Sequence, residues 1–435
     1  MKEKILAALM DGTFLKKAKN YIAKHVFRMK KTGVKKTKKV SVFSRAGDFV
    51  KKVCKKFFGI IATEIVRATT PIDPNKIVVM TFRCEYECNA KWICEEIIKR
   101  GLPYKIAWGS HPKKAAAPFP PQITPVKRET FAFAKEMASA RILIDNGISM
   151  VHMNYRKKPG QILMETWHGA IGIKKFSPQN VNNKRWVKNA LKEAAMTDYC
   201  ISNSTFENDV YREDYWKESE ILTYGHARND ILCEENTPRK AAIREKIYKH
   251  FKLDPHVKIC MYAPTFRDDK DMRPYQLDYA EMREALEQRF GGEWVIMTRF
   301  HDRIRTLASK MVKLPKFVIN CSTYTDIQEL MTCVDAGITD YSSWICEFLL
   351  TGKPGFLFAT DITDYTTTER AFFYPLDSMP YPLATDKRQL IENILTFDEE
   401  KFAVDVVNFL NDKGSIDDGH AAERIVDKIE ELMEV

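Results

Sequence analysis

The chain has 435 residues, 45% of them hydrophobic, which suits two packed domains and excludes wholesale disorder. Its net charge of +11 points to nucleic acid only until the charge is located. Residues 1–60 carry 18 Lys and Arg against Glu3, Asp11 and Asp48, a surplus of 15, so the remaining residues sum to −4. Ten cysteines are too sparse for a disulfide scaffold, and no signal-peptide pattern opens the sequence, so a reducing cytosol is the expected setting. No apolar run approaches the ~20 residues that a membrane-spanning helix needs.

Residues 1–70 read as a basic amphipathic helical arm. Val50, Val53, Cys54, Phe57, Phe58 and Ile61 fall on one helical face, with Lys51, Lys52, Lys55 and Lys56 opposite. Phe57 and Phe58 among lysines suit the interface of an anionic bilayer, where each lysine contributes roughly 1 kcal/mol. A helix lying on the protein's own body is the competing reading. No nucleic-acid partner is expected, because aromatic stacking platforms and a recognition motif are both missing.

The body begins after Pro71 and Pro74. "KIVVMTF" (76–82) predicts a strand, followed by a helix through "KWICEEIIKR". "YKIAWG" (104–109), a helical "ETFAFAKEMASA" (129–140), "RILIDN" (141–146), "QILMETWHG" (161–169) and "TDYCISNS" (197–204) continue the alternation. From about 220 it restarts with "EILTYG", "KICMYAPTF" (258–266), "EWVIMTRFH" (293–301), "FVINCS" (317–322), "DAGITDYSS" (335–343) and "PGFLFAT" (354–360). Strand alternating with helix predicts parallel βαβ units in two doubly wound halves, 71–220 and 221–435, facing a cleft. Cys84, Cys88 and Cys94 lack the paired spacing of a zinc site, and "FRDDKD" (266–271) reads equally as a solvated turn. No metal or cofactor is assigned.

Ligands of open parallel sheets bind at the carboxyl ends of the strands, and several predicted strands end in unusual polar residues. His168, between Trp167 and Gly169, is a candidate general base, since imidazole takes a proton near neutral pH. Arg299 with His301 offers the cationic surroundings that a departing phosphate needs. Arg228 in "YGHARND" is a second candidate anion clamp, with pairing to Asp230 as the alternative. Ser342 or Ser343 is expected to cap the helix that follows, presenting backbone N–H groups to a phosphate. Glu347, one residue beyond capping-box spacing, would be left free for a ribose diol.

In their order, "ETWHG", "YGHARND", "YAPTFRDD", "TRFH", "TDYSSWICEFLLTGKP" and "DGHAAERIVDKI" resemble the CDP-glycerol glycerophosphotransferase family, the teichoic-acid primases and polymerases. The resemblance runs from about Asn75 to the C-terminus. It implies a GT-B fold, with an acceptor domain at 71–220 and a CDP-donor domain at 221–435. It implies His168 as the base acting on the acceptor hydroxyl and His301 as the group assisting departure of CMP. The donor site would draw on His168, Gly169, Ala170, Ile171, Gly172, Arg228, Pro264, Thr265, Arg299, Phe300, His301, Asp302, Ser342, Ser343 and Glu347. The implied partners are a CDP-glycerol or CDP-ribitol donor, a polyprenyl-diphosphate-linked glycan acceptor and an anionic membrane surface. The implied location is the cytoplasmic face of the membrane, as a peripheral protein in teichoic-acid or capsule synthesis. Ala170-Ile171-Gly172-Ile173, where many members read Thr-Pro-Leu-Lys, separates this chain from that branch. The rival expectations are a GT-B nucleotide-sugar glycosyltransferase and a non-catalytic surface scaffold on the same fold.

Overall fold

The computed structural model describes residues 61–113, 118–169, 171–267, 271, 273–275, 277–301, 304 and 314–434. The expected membrane-surface residues Lys51, Lys52, Lys55, Lys56, Phe57 and Phe58 lie outside these, as do Ala170 and Asp302. The chain divides into two units, residues 1–68 and 69–435. Within the first, residues 61–68 are helical and carry a 2.9 Å ion pair between Glu64 and Arg67. No helix among the described residues is long and apolar enough to cross a membrane.

The second unit holds two all-parallel sheets. The first comprises β1 (Lys76–Met80), β2 (Lys105–Ser110), β3 (Ile123–Lys127), β4 (Ile142–Asp145), β5 (Ile162–Glu165), β6 (Tyr199–Ser202) and β7 (Glu220–Thr223), in the order β3-β2-β1-β4-β5-β6-β7. The second comprises β8 (Lys258–Tyr262), β9 (Trp294–Thr298), β10 (Val318–Asn320), β11 (Ala336–Thr339), β12 (Gly355–Phe358) and β13 (Leu383–Ala384), in the order β10-β9-β8-β11-β12-β13. Near-continuous apolar runs such as Ile77-Val78-Val79-Met80, fully buried, are what strands covered by helices on both faces require. Each order reverses direction once, between β1 and β4 and between β8 and β11. Such a reversal opens a crevice at the carboxyl ends of the two central strands.

Strand β3 escapes sequence reading because Pro125 interrupts it. The proline is tolerated at the edge position that β3 occupies, where only one neighbour needs its N–H groups. Strand β7 joins the first sheet through pairs such as Cys200↔Ile221, so the first half extends beyond residue 220. The chain also returns to that half at its far end. Helix α6 (Ala421–Glu434) lies against α1 (Cys88–Lys99), and Asp230 accepts N–H bonds from Ala421 (2.9 Å) and Ala422 (2.7 Å) at the start of α6. "YGHARND" and "DGHAAER" therefore form one structural joint. Asp230 is spent on it and does not pair with Arg228.

The halves are locked together by buried charge. Lys91 of α1 reaches Asp326 (2.6 Å) and Glu329 (2.7 Å), which begin and line α4 (Ile327–Cys333) of the second half. Burial alone would push the Glu329 carboxyl up. Lys91, Lys246 and the Tyr324 hydroxyl instead hold it at about 2. A group held below its ordinary carboxylate value contributes stability that is complete above about pH 4.5 and is lost as pH falls towards 2. Removing one member of such a cluster leaves an uncompensated buried charge. Lys91→Ala is expected to lower unfolding free energy by about 3–5 kcal/mol in urea denaturation at pH 7, with Lys91→Met losing less. Equal midpoints for Lys91→Ala and wild type would refute the buried-lock account.

Candidate active site between the two sheets

The loop after β5 carries the central histidine. Trp167 adopts φ 47°, a left-handed conformation that costs an aromatic residue of order 1–3 kcal/mol. It is held there by Phe176, Trp216 and Trp186, with ring centroids 5.4–6.4 Å away, and by its own N–H, which donates to Glu165 Oε1 at 2.8 Å. A Cβ at residue 169 would stand 3.0 Å from the Trp167 indole and push it by a few tenths of an ångström, so glycine lets the indole pack closely. Together these features fix where His168 emerges.

Nδ1 of His168 lies 2.6 Å from the carbonyl oxygen of Asn146, just past β4. A carbonyl can only accept, so Nδ1 carries the hydrogen and Nε2 keeps its lone pair. Phe82, just past β1 and half exposed, packs on the imidazole at 4.7 Å, and its N–H donates to Asn146 Oδ1 at 2.9 Å. Phe82 and Asn146 thus span the crevice between β1 and β4, with the histidine over it. Burial pulls the pKa of His168 down to about 4. The charge of Arg228 adds to this, while the Asn146 carbonyl and Asp145 oppose it. Below the loop, Asp145, Glu165 and Glu193 bring three buried carboxyl groups within 4.8 Å of one another. Each accepts backbone N–H bonds (Ser149 to Asp145, Trp167 to Glu165, Val151 to Glu193), so the cluster organises the loop ends. Burial and mutual repulsion push Glu165 and Glu193 well above the usual carboxylate range.

Arg228 and Glu347 are brought together rather than left for separate tasks. The guanidinium pairs bidentately with the carboxylate at 3.0 and 2.8 Å, and also donates to the Gly169 carbonyl at 2.6 Å. Gln328 donates to the same carboxylate at 2.7 Å. Glu347 is therefore committed to Arg228, and the expectation of a free carboxylate for a ribose diol is corrected. Ser343 occupies the N-cap position of α5 (Trp344–Phe348), but its hydroxyl accepts no capping bond and the helix is only five residues long. The expected cap position is met at Ser343, while a side-chain capping bond is not made.

In the second half, Thr265 follows β8 and its N–H donates to Asp340 Oδ1 at 2.7 Å, spanning the crevice between β8 and β11. Pro264 is buried beside it. Arg267, unremarked in the sequence, pairs with Asp340 at 2.9 Å and with Asp361 at 2.6 Å. Arg299 donates to the carbonyls of Cys321, Tyr324 and Thr325, at 3.3, 2.6 and 3.3 Å, and has no carboxylate partner among the described residues. His301 packs against Phe266 with ring centroids 4.5 Å apart and planes tilted by 39°. Phe300 is buried in a small core with Tyr275 and Ile304. Ile171 is buried, and its carbonyl accepts the Tyr374 hydroxyl at 3.1 Å. Gly172 and Ile173 lead into a short antiparallel contact with the second half, where the Phe373 N–H donates to the Ile173 carbonyl (2.8 Å) and the Lys175 N–H to the Ala371 carbonyl (2.9 Å). Sequence reading missed Phe82, Asn146 and Lys174. The first two follow β1 and β4 directly, and the polar end of "RILIDN" was a usable signal. Lys174 had none.

Two Rossmann-like sheets with carboxyl-terminal crevices joined by such a loop define a GT-B fold. The sequence profile of the CDP-glycerol:poly(glycerophosphate) glycerophosphotransferase family matches residues 62–431, and the chain belongs to that family. The teichoic acid poly(glycerol phosphate) polymerase of Staphylococcus epidermidis is 28% identical over 372 residues, covering 82% of this chain and 51% of the relative. The polymerase of the same description from Bacillus subtilis is 25% identical over 372 residues, covering 82% and 49%. The chain thus spans about half the length of these two curated relatives. A solved structure of the wall teichoic acid polymerase TagF superimposes with TM-score 0.75 at 25% identity, covering 91% of this chain and 99% of that one.

The histidine geometry has a direct consequence. His168 is expected to stay neutral as pH falls through 6.5 and to charge only near pH 4. An NMR titration of the Hε1 resonance, assigned with His168→Gln, would show this, and a midpoint at 6 or above would contradict it.

Proposed function

We propose that this chain transfers glycerol phosphate, or a related alditol phosphate, from a CDP-alditol to a hydroxyl of a lipid-linked acceptor. The observation that carries the reading is His168: a neutral imidazole whose Nδ1–H is spent on Asn146, leaving Nε2 to receive a proton at the carboxyl end of the first sheet. The first half would present the acceptor and the second would hold the donor. Arg299, unneutralised by any described carboxylate, and His301 would face the diphosphate. Family membership supports a CDP-alditol donor, as does a TagF structure that followed a 15 minute soak with CDPG.

The chemistry then balances with few parts. The acceptor hydroxyl loses its proton to Nε2 of His168 as its oxygen attacks the phosphorus that bears the alditol. The bond to the bridging oxygen breaks, and CMP leaves with the electron pair. Phosphoryl-type transfer is mostly positioning and charge neutralisation, so no covalent intermediate is needed. The basic segment before residue 61 would keep the protein at the anionic cytoplasmic membrane surface, where a polyprenyl-linked glycan acceptor resides.

His168→Ala is expected to lower kcat by 10²–10⁴-fold, equivalent to about 2–4 kcal/mol, with CDP-glycerol and a lipid acceptor. Near-wild-type turnover would remove the base assignment. Incubation with CDP-glycerol, CDP-ribitol and UDP-sugars, followed by detection of CMP or UDP, tests the donor class. Release of UDP alone would establish a glycosyltransferase instead.

A further inference from the structure

The segment from His168 to Lys174 connects both crevices. Its first residue sits over the β1/β4 crevice through Asn146. Its last places Nζ 3.3 Å from the Thr265 hydroxyl, at the β8/β11 crevice. The backbone around Lys174 is pinned by the Ile173–Phe373 and Lys175–Ala371 main-chain hydrogen bonds, and Lys174 itself bridges to Phe372. The backbone from which the half-buried ammonium extends is therefore held against the second half.

Its charge is not balanced there. Asp340 is the nearest acidic influence, but that carboxylate already accepts the Thr265 and Tyr341 N–H groups and pairs with Arg267. The other charged groups facing Lys174 are Arg267 itself, Arg370 and Glu369. Thr265 is its single hydrogen-bond partner among the described residues. Arg299, at the end of the adjoining strand β9, is equally without a carboxylate partner among the described residues. Two cations without ion pairs among the described residues, Lys174 beside the residue that follows β8 and Arg299 at the end of β9 with only the more distant influence of Glu87 and Asp326, suit an anion with more than one negative charge.

We propose that Lys174 is a donor-binding residue, reaching from the first half to the diphosphate of a CDP-alditol held on the second. This rests on the CDP-alditol transferase reading and adds a residue and a geometry to it. It makes the donor site composite: the same short segment that aims the base also supplies positive charge to the anion, so donor and acceptor sites are set relative to each other by one stretch of backbone. Burial pulls the pKa of Lys174 down to about 8, Asp340 and Glu369 oppose this, and Arg370 and Arg267 reinforce it. Diphosphate binding should accordingly weaken as pH rises through 8, when the ammonium loses its proton.

Calorimetric titration of the full chain with CDP and with cytidine, alongside Lys174→Gln and Lys174→Arg, tests the proposal. A charge-assisted hydrogen bond lost from the diphosphate weakens CDP by about 10–100-fold. Cytidine binding should be unchanged in both variants, and Lys174→Arg should recover most of the CDP affinity. In wild type, CDP affinity should decline between pH 7 and 9, and in Lys174→Arg that decline should disappear. Unchanged CDP affinity in Lys174→Gln would overturn the proposal, as would equal weakening of CDP and cytidine, which would mark a merely structural role. A wild-type chain that binds no CDP would overturn the donor reading and this inference together.

Discussion

The buried pair of Arg228 and Glu347 is the interaction on which the site's geometry rests. Arg228 follows β7 of the first sheet and Glu347 lies on α5 of the second half. The guanidinium also holds the Gly169 carbonyl, next to the base. One side chain thus fixes the distance between the halves and the position of the histidine loop at once. Planar, bidentate recognition makes arginine suited to this, because a lysine could satisfy the carboxylate or the carbonyl but not both in a fixed plane. The Lys91 cluster acts at a second point of the same boundary. Two anchors of this kind resist rotation in a way that one would not.

Much of the fold was legible because parallel strands buried on both faces leave apolar runs that are hard to misread. The exceptions have separate physical causes. Strand β3 contains Pro125 and survives only as an edge, and β13 spans just two residues. Strand β7 was read as the start of a new half because alternation alone does not say which sheet a strand joins. At the site, strand-end residues stood out and His168 was among them. The roles of Arg228 and Glu347 were not visible, because sequence spacing cannot show that two residues 119 apart meet in a buried pair. Glu347 had an unusual offset from the serines, and the offset reflects its pairing with Arg228 rather than a capping function. Phe300 and His301 are neighbours in sequence with opposite fates, one in a small core and one exposed against Phe266.

Strain and polarity are concentrated together. The left-handed Trp167, the buried carboxyl trio beneath it and the neutral imidazole above it occupy consecutive layers. Each is unfavourable alone. The aromatic cage compensates the first, backbone N–H groups the second and the Asn146 carbonyl the third. Local rules broken in one place and repaired by surrounding structure are the usual mark of a site shaped for a task rather than for stability.

The return of α6 to the first half has an effect on biogenesis. During synthesis from the N-terminus, the first sheet emerges long before the residues that cover α1 and engage Asp230. The α1 surface that α6 covers must wait, exposed or transiently covered, until the ribosome has passed residue 434. Completion of the first lobe is thereby coupled to completion of the second. A nascent chain stalled midway would present an unfinished surface to chaperones, and the two lobes mature as one cooperative product.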